Sequence, residues 1–330
     1  MTFANEFAGK HVLITGGIGF IGSNLAIRLA GLGAKVLVVD SMIPDYGGNL
    51  FNLAPVKDQI TINISDVREI HAMHYLVQDQ DILFNLAGQV SHTDSMTDPF
   101  TDLEINARAQ LAIAEACRRF NPSIRIVHTS TRQQYGRPMY LPVDEKHLVH
   151  PTDVNGIHKA AGEMYFMVYN AVYGLKATSL RLTNTYGPRQ IIKNNRHGFM
   201  GWFIRKVLLG EEILLYGGGE QLRDLCFVDD AVDALLMTAM SDAAVGQIFN
   251  VGGLRPISLK EIADILIQLS GKGSCRVEPF PADLKPIDIG DFYADYSKIK
   301  GALGWEPKVD VREGLARTLA YYQQNLDYYL

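Results

Sequence analysis

Three glycines near the N-terminus have the spacing of a turn that binds phosphate. Gly16, Gly19 and Gly22 follow the apolar residues 12–14 and lead into a segment with helical periodicity. The first glycine permits a tight turn, the second lets backbone N–H groups approach a pyrophosphate, and the third allows close helix packing. Because a helix N-terminus attracts anions, the segment predicts a phosphate-binding turn, although a glycine triplet alone also occurs in purely structural turns.

An acidic residue ends the next apolar run. Asp40 follows residues 36–39, and its carboxylate could accept hydrogen bonds from an adenosine ribose. The same carboxylate would repel a 2'-phosphate, and no arginine stands beside it in the sequence. Asp40 could instead cap a turn. Together with the glycine turn, Asp40 predicts that the cofactor is NAD and not NADP.

Apolar runs of strand length alternate with helical patterns in the first half of the chain. They cover residues 11–15, 21–32, 35–40, 60–64, 82–87, 103–120 and 124–130. Strands separated by helix-length segments predict a parallel sheet with helices on both faces. The sequence therefore predicts an α/β protein with a doubly wound, Rossmann-type sheet.

The pattern becomes less regular beyond about residue 178. Stretches rich in Gly and Pro occur at residues 186–189 and 217–219, and a helix is predicted at 259–270. We expect residues 1–178 to form the NAD-binding domain and residues 179–330 to form mainly a smaller substrate-binding lobe. Because residues 178–182 and 247–251 still have strand character, both segments are expected to return to the Rossmann sheet, so that the two parts interleave.

Composition excludes several classes of partner. The chain has 330 residues, 47% of them apolar, and a formal net charge of -5, so a buried core is expected and binding to nucleic acid or an anionic membrane is not. The three cysteines lack paired spacing, and no Cys/His cluster has the spacing of metal ligands. No run of about 18 apolar residues predicts a membrane span. We expect a cytoplasmic protein that binds no metal.

The glycine turn has the form Thr-Gly-x-x-Gly-Phe-x-Gly at residues 15–22, and it resembles the turn of the extended short-chain dehydrogenases/reductases. The resemblance is strongest to the nucleotide-sugar epimerases and dehydratases, the group that includes UDP-glucose 4-epimerase. Other segments match in the same order, namely 85–88, 98–99, 106, 129–131, 135–136, 181–189, 223–224, 228–230 and 303–307. The resemblance implies NAD as cofactor and a nucleoside-diphosphate sugar as substrate.

The resemblance also implies which residues contact NAD. Asp66 and Val67 would border the adenine, residues 86–88 would line the cofactor, and Lys159 would hydrogen-bond the nicotinamide ribose. The full set is Gly16, Gly19, Phe20, Ile21, Gly22, Asp40, Asp66, Val67, Leu86, Ala87, Gly88 and Lys159.

The expected catalytic tyrosine is missing. In the family that the chain resembles, a sugar hydroxyl is oxidised by hydride transfer to NAD while the tyrosine of Tyr-x-x-x-Lys takes the proton. Here residues 155–159 read Asn-Gly-Ile-His-Lys, so Lys159 is present and Asn155 stands at the tyrosine position. An amide cannot act as a general base near neutral pH. Thr131 matches the Ser/Thr that hydrogen-bonds the reacting hydroxyl.

Three explanations for this substitution remain open. His158 could be the base, because i to i+3 spacing places it beside Asn155, although a packed or solvent-facing role is the ordinary one for such a histidine. The substrate or a tyrosine from elsewhere, Tyr135, Tyr165 or Tyr186, could supply the proton path. The protein could also bind NAD and a sugar nucleotide without redox turnover.

The residues after Thr131 bear on the type of reaction. In sugar 4,6-dehydratases an Asp-Glu pair at this place performs the acid and base steps of water elimination, whereas this chain has Arg132 and Gln133. Neither side chain exchanges protons readily at pH 7, which argues against dehydration and against decarboxylation. We therefore predict an NAD-dependent nucleotide-sugar epimerase with a non-standard general base. A dehydratase, other chemistry of the same family and a binding protein without turnover are the alternatives.

Substrate and partner contacts follow from the same resemblance. Asn184, Arg189 and Arg223 match positions that contact the sugar phosphate, and arginine suits a pyrophosphate. Lys285 and Asp288 stand where the family usually has Arg-x-x-Asp, and lysine lacks the bidentate grip of arginine. The nucleotide base and the sugar are not assigned. Relatives pair two long helices, here residues 98–120 and 154–173, so a homodimer is expected.

Overall fold

The computed structural model describes residues 3–280 and 288–330. A sheet of seven parallel strands forms its centre, in the order β10-β6-β5-β4-β1-β2-β3. A three-stranded sheet, β11-β9-β7, and a parallel pair, β12-β8, lie outside it. The strands are β1 (His11–Thr15), β2 (Lys35–Asp40), β3 (Thr61–Ile64), β4 (Ile82–Asn85), β5 (Arg125–Thr131), β6 (Lys176–Leu182), β7 (Asn184–Tyr186), β8 (Glu212–Tyr216), β9 (Leu222–Phe227), β10 (Ile248–Val251), β11 (Pro256–Ser258) and β12 (Ser274–Glu278).

Helices cover both faces of the central sheet. They are α1 (Ala4–Phe7), α2 (Phe20–Gly31), α3 (Ile70–Leu76), α4 (His92–Thr97), α5 (Pro99–Leu103), α6 (Ala109–Phe120), α7 (Val154–Tyr173), α8 (Phe199–Leu209), α9 (Val228–Met240), α10 (Leu259–Ser270), α11 (Ser297–Leu303) and α12 (Val311–Asn325). In the described ranges, no helix is both long and apolar enough to cross a membrane.

The apolar strands are buried because each sheet face has its own core. One face packs with α2 and α9 in a large cluster that also includes the helices of the smaller lobe. The other face packs with α3, α6 and α7 in a second cluster around Ile113 and Phe166. Every residue of β4 is buried, as expected for a central parallel strand covered on both sides. The predicted doubly wound α/β fold is confirmed.

The chain leaves the central sheet after β6 and returns to it at β10. Between these two strands it builds β7, α8, β8, β9 and α9, and β10 then pairs in parallel with β6. The outer sheets, together with α8, α10 and α12, form a smaller lobe beyond the carboxyl ends of β5 and β6. The cleft between this lobe and the central sheet is where a ligand of an open α/β sheet binds.

The helix predicted over residues 103–120 is interrupted. Residues Glu104–Arg108 form a π-helical turn between α5 and α6. This turn directs the side chain of Asn106 inward, where it donates to the carbonyl of Gln89 at 3.0 Å and accepts from the Gln89 N–H at 3.2 Å. The periodicity of residues 103–120 did not predict this interruption, because Gln89, which hydrogen-bonds Asn106, lies on the loop after β4.

A buried ion pair joins α7 to the sheet. Glu163 in α7 and Arg181 in β6 have side chains that are 0% and 3% exposed, and their nearest N and O atoms are 2.5 Å apart. Glu163 also accepts hydrogen bonds from Gln134 and Ser179, and Arg181 donates to the hydroxyl of Tyr135 at 2.7 Å. Since both charges are fully partnered, the loss of either one leaves the other buried without compensation.

We predict that Glu163→Gln lowers the free energy of unfolding by about 3–5 kcal/mol, because it leaves the Arg181 charge uncompensated. The double variant Arg181→Met/Glu163→Leu should be less destabilised than Glu163→Gln, since it removes both charges. Urea unfolding at neutral pH measures the difference. The control is Glu211→Gln, which breaks the exposed Lys206–Glu211 pair and should change stability by less than about 1 kcal/mol. Equal effects of the two single variants would contradict the prediction.

Candidate cofactor and substrate site

A deep cavity opens at the carboxyl ends of β1, β2, β4 and β5. All residues predicted to contact the cofactor line it, and so do Thr131 and Asn184. The predicted cofactor residues alone come from five separate segments of the chain, which the parallel sheet brings together because its strand ends meet at one edge. One end of the cavity is formed by the glycine turn and Asp40, and the other by Thr131, Lys159 and the smaller lobe.

The glycine turn lies too close to its neighbours for side chains. Gly16 has a φ of +70°, and a Cβ atom placed on it would lie 2.8 Å from the backbone nitrogen of Ala87. A Cβ atom on Gly22 would overlap the carbonyl oxygen of Gly16. Helix α2 begins directly after Gly19, and no side chain caps its first turn. The N-terminus of α2 therefore presents backbone N–H groups to the cavity, which suits the pyrophosphate of a dinucleotide.

Asp40 fixes the turn to the end of β2. Its carboxylate accepts hydrogen bonds from the N–H of Ile18 at 3.0 Å and of Met42 at 2.8 Å. Burial raises the pKa of Asp40, with a smaller contribution from the charge of Asp66, while the backbone hydrogen bonds oppose the rise. Arg68 comes close to this end of the cavity, but its guanidinium forms a two-point contact with Asp66 at 2.9 and 2.6 Å. This arginine is therefore already engaged by a carboxylate.

Lys159 brings a buried ammonium group to the far end of the cavity. The residue is 7% exposed, and its Nζ atom lies where a side chain on Gly88 would have to stand. Burial lowers the pKa of Lys159 to about 8, and the charge of Asp102 opposes that change. Thr131 ends β5, where its hydroxyl donates to Gln133 Oε1 at 3.3 Å and accepts from the Gln133 N–H at 3.2 Å.

Asn155 and His158, which are predicted from the sequence to be catalytic, do not line the cavity. Asn155 is completely buried, and its amide nitrogen lies 2.8–3.0 Å from the carbonyl and Oε1 of Gln89 and from Asp102 Oδ2. His158 Nδ1 is 2.7 Å from Asp102 Oδ1, and this contact holds the ring away from the cavity. Both side chains point into the protein because the buried carboxylate of Asp102 is their hydrogen-bond partner.

The arginines predicted to hold the sugar phosphate are engaged elsewhere. Arg189 donates to the carbonyl of Asn52 and to Asn24, and Arg223 donates to backbone carbonyls at Leu222 and Gly290. Neither arginine lines the cavity.

Of the remaining residues that are predicted to bind substrate, one lines the cavity, one does not, and one lies outside the described residues. The Asp288 carboxylate accepts hydrogen bonds from Gln221 and also lies outside the cavity wall. Lys285 falls outside the described residues. Asn184 does line the cavity, where its side-chain oxygen is 3.4 Å from Arg132 Nη2.

Two histidines of the cavity wall, His92 and His197, were not assigned a role from the sequence. Arg132 and Gln133, which the sequence places directly after Thr131, line the wall as well. His92 Nδ1 contacts the carboxylate of Asp153, a residue 61 positions away, so no local spacing could have indicated the pair. In the described residues, no cluster of three or more His, Cys, Asp or Glu side chains is arranged to hold a metal ion.

The chain is similar to proteins of known type over nearly its whole length. A model of the NAD dependent epimerase/dehydratase family matches residues 12–252. A putative UDP-glucose 4-epimerase of Methanocaldococcus jannaschii is 31% identical over 95% of this chain and 99% of its own. The crystal structure of UDP-glucose 4-epimerase with UDP-glucose from Thermotoga maritima has a TM-score of 0.87 and 31% identity, covering 96% of this chain and 99% of its own. A dTDP-glucose 4,6-dehydratase of Streptomyces venezuelae with NAD bound has a TM-score of 0.87 and 26% identity, covering 97% and 98%.

We predict that Lys159→Met stabilises the protein free of ligand. Below pH 8 the folded state contains a buried ammonium group, which costs up to about 3 kcal/mol for a pKa lowered from 10.5 to about 8. That cost disappears as the pH rises from about 8 to 10.5, because the unfolded chain then binds more protons than the folded one.

The measurement is urea unfolding of ligand-free protein at pH 7 and at pH 10. The stability of the parent protein should rise relative to that of Lys159→Met between the two pH values. Lys57→Met is the matched control, since Lys57 is exposed. A Lys159→Met protein no more stable than the parent at pH 7 would contradict the assignment of a buried charge.

Proposed function

The chain belongs to the NAD-dependent epimerase/dehydratase family, and we propose that it is an epimerase that oxidises and re-reduces one carbon of a nucleoside-diphosphate sugar. The observation that carries this proposal is the single cavity in which a dinucleotide cradle continues into Thr131 and Lys159. Two relatives named as UDP-glucose 4-epimerases, each 31% identical to this chain, support the same reaction type.

The cofactor is NAD, and the residues present fit it. The glycine turn would hold the pyrophosphate, because its backbone leaves space that a side chain would fill, and Asp40 would accept from the adenosine ribose. Lys159 would contact the nicotinamide ribose from its position against Gly88. When bound, NAD supplies a reversible two-electron oxidant for an alcohol carbon.

Polar atoms at the other end of the cavity are arranged for a polar substrate. Arg132 Nη1 and the hydroxyls of Thr183 and Thr185 are buried and have no partner within the described part of the chain, although all three residues line the cavity. Buried polar groups without partners are costly, so these atoms suit the hydroxyl and phosphate oxygens of a ligand. Thr131 would hold the reacting hydroxyl of the sugar from the end of β5.

Epimerisation is favoured over dehydration because, among the residues that the structure describes, no carboxylic acid pair lines the wall near Thr131. Arg132 and Gln133 occupy the wall directly after Thr131, and elimination of water needs an acid and a base at the sugar. Burial lowers the pKa of Arg132 to about 10, so this group remains a cation at neutral pH. Oxidation and re-reduction of one carbon needs only one proton acceptor.

The second candidate is a protein that binds NAD and a sugar nucleotide without turnover. The observation that favours it is Asn155, which is buried at the position where the family's tyrosine would stand and cannot take a proton. Such a protein would retain the cavity and both ligands while lacking the reaction.

The test is incubation of the purified protein with UDP-, dTDP-, GDP- and CDP-sugars in deuterated and ordinary buffer, with NMR detection of new stereoisomers. We expect at least one substrate to epimerise. Thr131→Val should lower kcat by about 10- to 100-fold through loss of a hydrogen bond to the reacting hydroxyl, while Thr131→Ser, the matched control, should retain most activity. Binding without turnover across the whole panel would favour the second candidate.

We further propose that the protein is a homodimer paired through α7 and α5. Ile157, Met164, Val168 and Val172 are spaced by seven, four and four residues, so they share one face of α7, and all are 41–65% exposed. Phe100 in α5 is 76% exposed. A second copy of the chain would cover this apolar face, as the pairing of long helices in the family implies.

Val168→Asp should convert the dimer into a monomer, because it places a charge in the centre of this apolar face. Sedimentation equilibrium gives the mass. The matched control is Val277→Asp, since Val277 in β12 is 51% exposed and lies on a different element. A parent protein that sediments as a monomer would contradict the proposed dimer.

The three cysteine side chains are free thiols, and we propose the reducing cytoplasm as the compartment.

A further inference from the structure

A histidine and a buried aspartate form a pair in the cavity wall beside Thr131. His92 is the first residue of α4 and lines the cavity with a side chain that is 39% exposed. Its Nδ1 atom contacts Oδ2 of Asp153, whose side chain is only 2% exposed. Neither residue was assigned a role by sequence or by resemblance. His92 lies in the wall of the same cavity as Thr131.

Asp153 is held firmly and stays ionised. It is the N-cap of α7, and its Oδ1 atom accepts the N–H of Gly156 at 2.7 Å. Burial raises the pKa of Asp153, but the hydrogen bond and charge of His92, the Gly156 N–H and the charge of Arg132 outweigh burial and hold the pKa below its ordinary value. An ionised carboxylate only accepts hydrogen bonds, so the proton of a neutral His92 ring must be on Nδ1.

The other ring nitrogen of His92 contacts Gln133 in the cavity wall. With the proton on Nδ1, the lone pair of Nε2 accepts from the side-chain N–H of Gln133. Gln133 in turn shares two hydrogen bonds with Thr131, at 3.2 and 3.3 Å. A chain of contacts therefore runs from Asp153 through His92 and Gln133 to the threonine that would hold the sugar hydroxyl.

Asn155 holds the segment that carries His92. Its amide nitrogen lies within hydrogen-bonding distance of the carbonyl and side chain of Gln89, three residues before His92. Its backbone N–H donates to the hydroxyl of Ser95, three residues after His92, and that hydroxyl donates to the His92 carbonyl at 2.7 Å. The residue at the family's tyrosine position therefore fixes both sides of the histidine.

The other acid–base groups near the cavity suit the role less well. Burial, followed by the charges of Asp94 and Asp98, raises the pKa of Tyr46. Lys159, with a pKa of about 8, is mainly protonated at neutral pH. His197 contacts Asn194 and has no hydrogen bond that connects it to Thr131.

The tyrosines considered from the sequence are also excluded. Tyr135 is completely buried, where it hydrogen-bonds Asn250 and Arg181, and burial raises its pKa to about 12. Tyr186 is completely buried within the smaller lobe, and Tyr165 does not line the cavity.

We propose that His92 is the proton acceptor for the sugar hydroxyl and that Asp153 is its positioning residue, a proposal that rests on the proposed epimerase function. In the oxidation step the O–H bond breaks, the proton moves to Nε2 of His92, and the oxygen forms a C=O double bond. The hydrogen on the carbon leaves with both electrons of its C–H bond for NAD, the oxidant of the family. In the reverse step that hydrogen would return with its electron pair from the reduced cofactor to the opposite face of the carbon, and His92 would return the proton to the oxygen.

The first test uses the holoenzyme and a sugar nucleotide that the parent protein epimerises. His92→Gln should lower kcat by about 10²- to 10⁴-fold, the usual loss for a general base, with KM changed by only a few-fold. Free imidazole should restore part of the activity of His92→Ala, which a purely structural role would not allow. His158→Gln is the comparison with the rival histidine. Retention of kcat by His92→Gln, or loss only in His158→Gln, would overturn the proposal while leaving the epimerase function intact.

The second test does not depend on turnover. The measurement is nitrogen NMR of protein that contains labelled histidine. The His92 signal is assigned as the one that is lost in His92→Gln. We expect the neutral ring of His92 to carry its proton on Nδ1. Its Nε2 resonance should move when UDP-glucose is added as the probe. Asp153→Asn keeps an acceptor for the Gly156 N–H but can donate to Nδ1, so it should move the proton to Nε2 and lower kcat by about 10²-fold or more.

These two tests separate the proposals. A parent protein that epimerises no sugar nucleotide contradicts the proposed function, whereas the NMR result still decides the state of His92. A neutral His92 that carries its proton on Nε2, or an Nε2 resonance left unchanged by a sugar nucleotide that binds the protein, would overturn the assignment of His92 as acceptor.

Discussion

The buried contact between Glu163 and Arg181 determines where α7 lies on the sheet, and the site depends on that position. Asn155, Lys159 and Glu163 are spaced by four residues, so they share the helix face that is pressed against the sheet and the loop after β4. A polar face can be buried only when its groups find partners. The ion pair partners Glu163, Gln89 and Asp102 partner Asn155, and Lys159 is left at the cavity.

This placement explains how the chain can lack a tyrosine at residue 155 and still keep an organised site. The amide of Asn155 is directed into the protein, and its side chain and backbone bind the segment around His92. The N-cap of the same helix, Asp153, contacts the ring of His92. The start of α7 therefore holds His92 in two ways. Asn155 binds the backbone segment that carries His92, and Asp153 contacts its ring.

The buried cations of the cavity lower the stability of the empty protein, and ligands of opposite charge would offset this cost. Burial lowers the pKa of both Lys159 and Arg132, which means that the folded protein contains cations with incomplete compensation. The diphosphates of a dinucleotide and of a sugar nucleotide carry the opposite charge. Sites that are organised in advance for charged ligands commonly lower the stability of the empty protein, and this cavity has that character.

The sequence alone determined the doubly wound fold, the NAD cofactor and the residues that line its part of the cavity. These features depend on strand periodicity and on a short motif, Gly16 to Gly22, whose spacing is local and whose backbone geometry only glycine permits. Asp40 could be predicted for the same reason, because its place at the end of the next strand is also a local pattern.

Only the tertiary structure brought together the two groups that we propose in place of a tyrosine at residue 155. Sequence proximity suggested His158, but its ring contacts Asp102 and does not line the cavity. His92 and Asp153 are 61 positions apart, and nothing in either segment indicates the other. They meet because the loop after β4 and the start of α7 converge at one edge of the parallel sheet. Such contacts between distant segments arise from how the elements pack, which residue spacing does not encode.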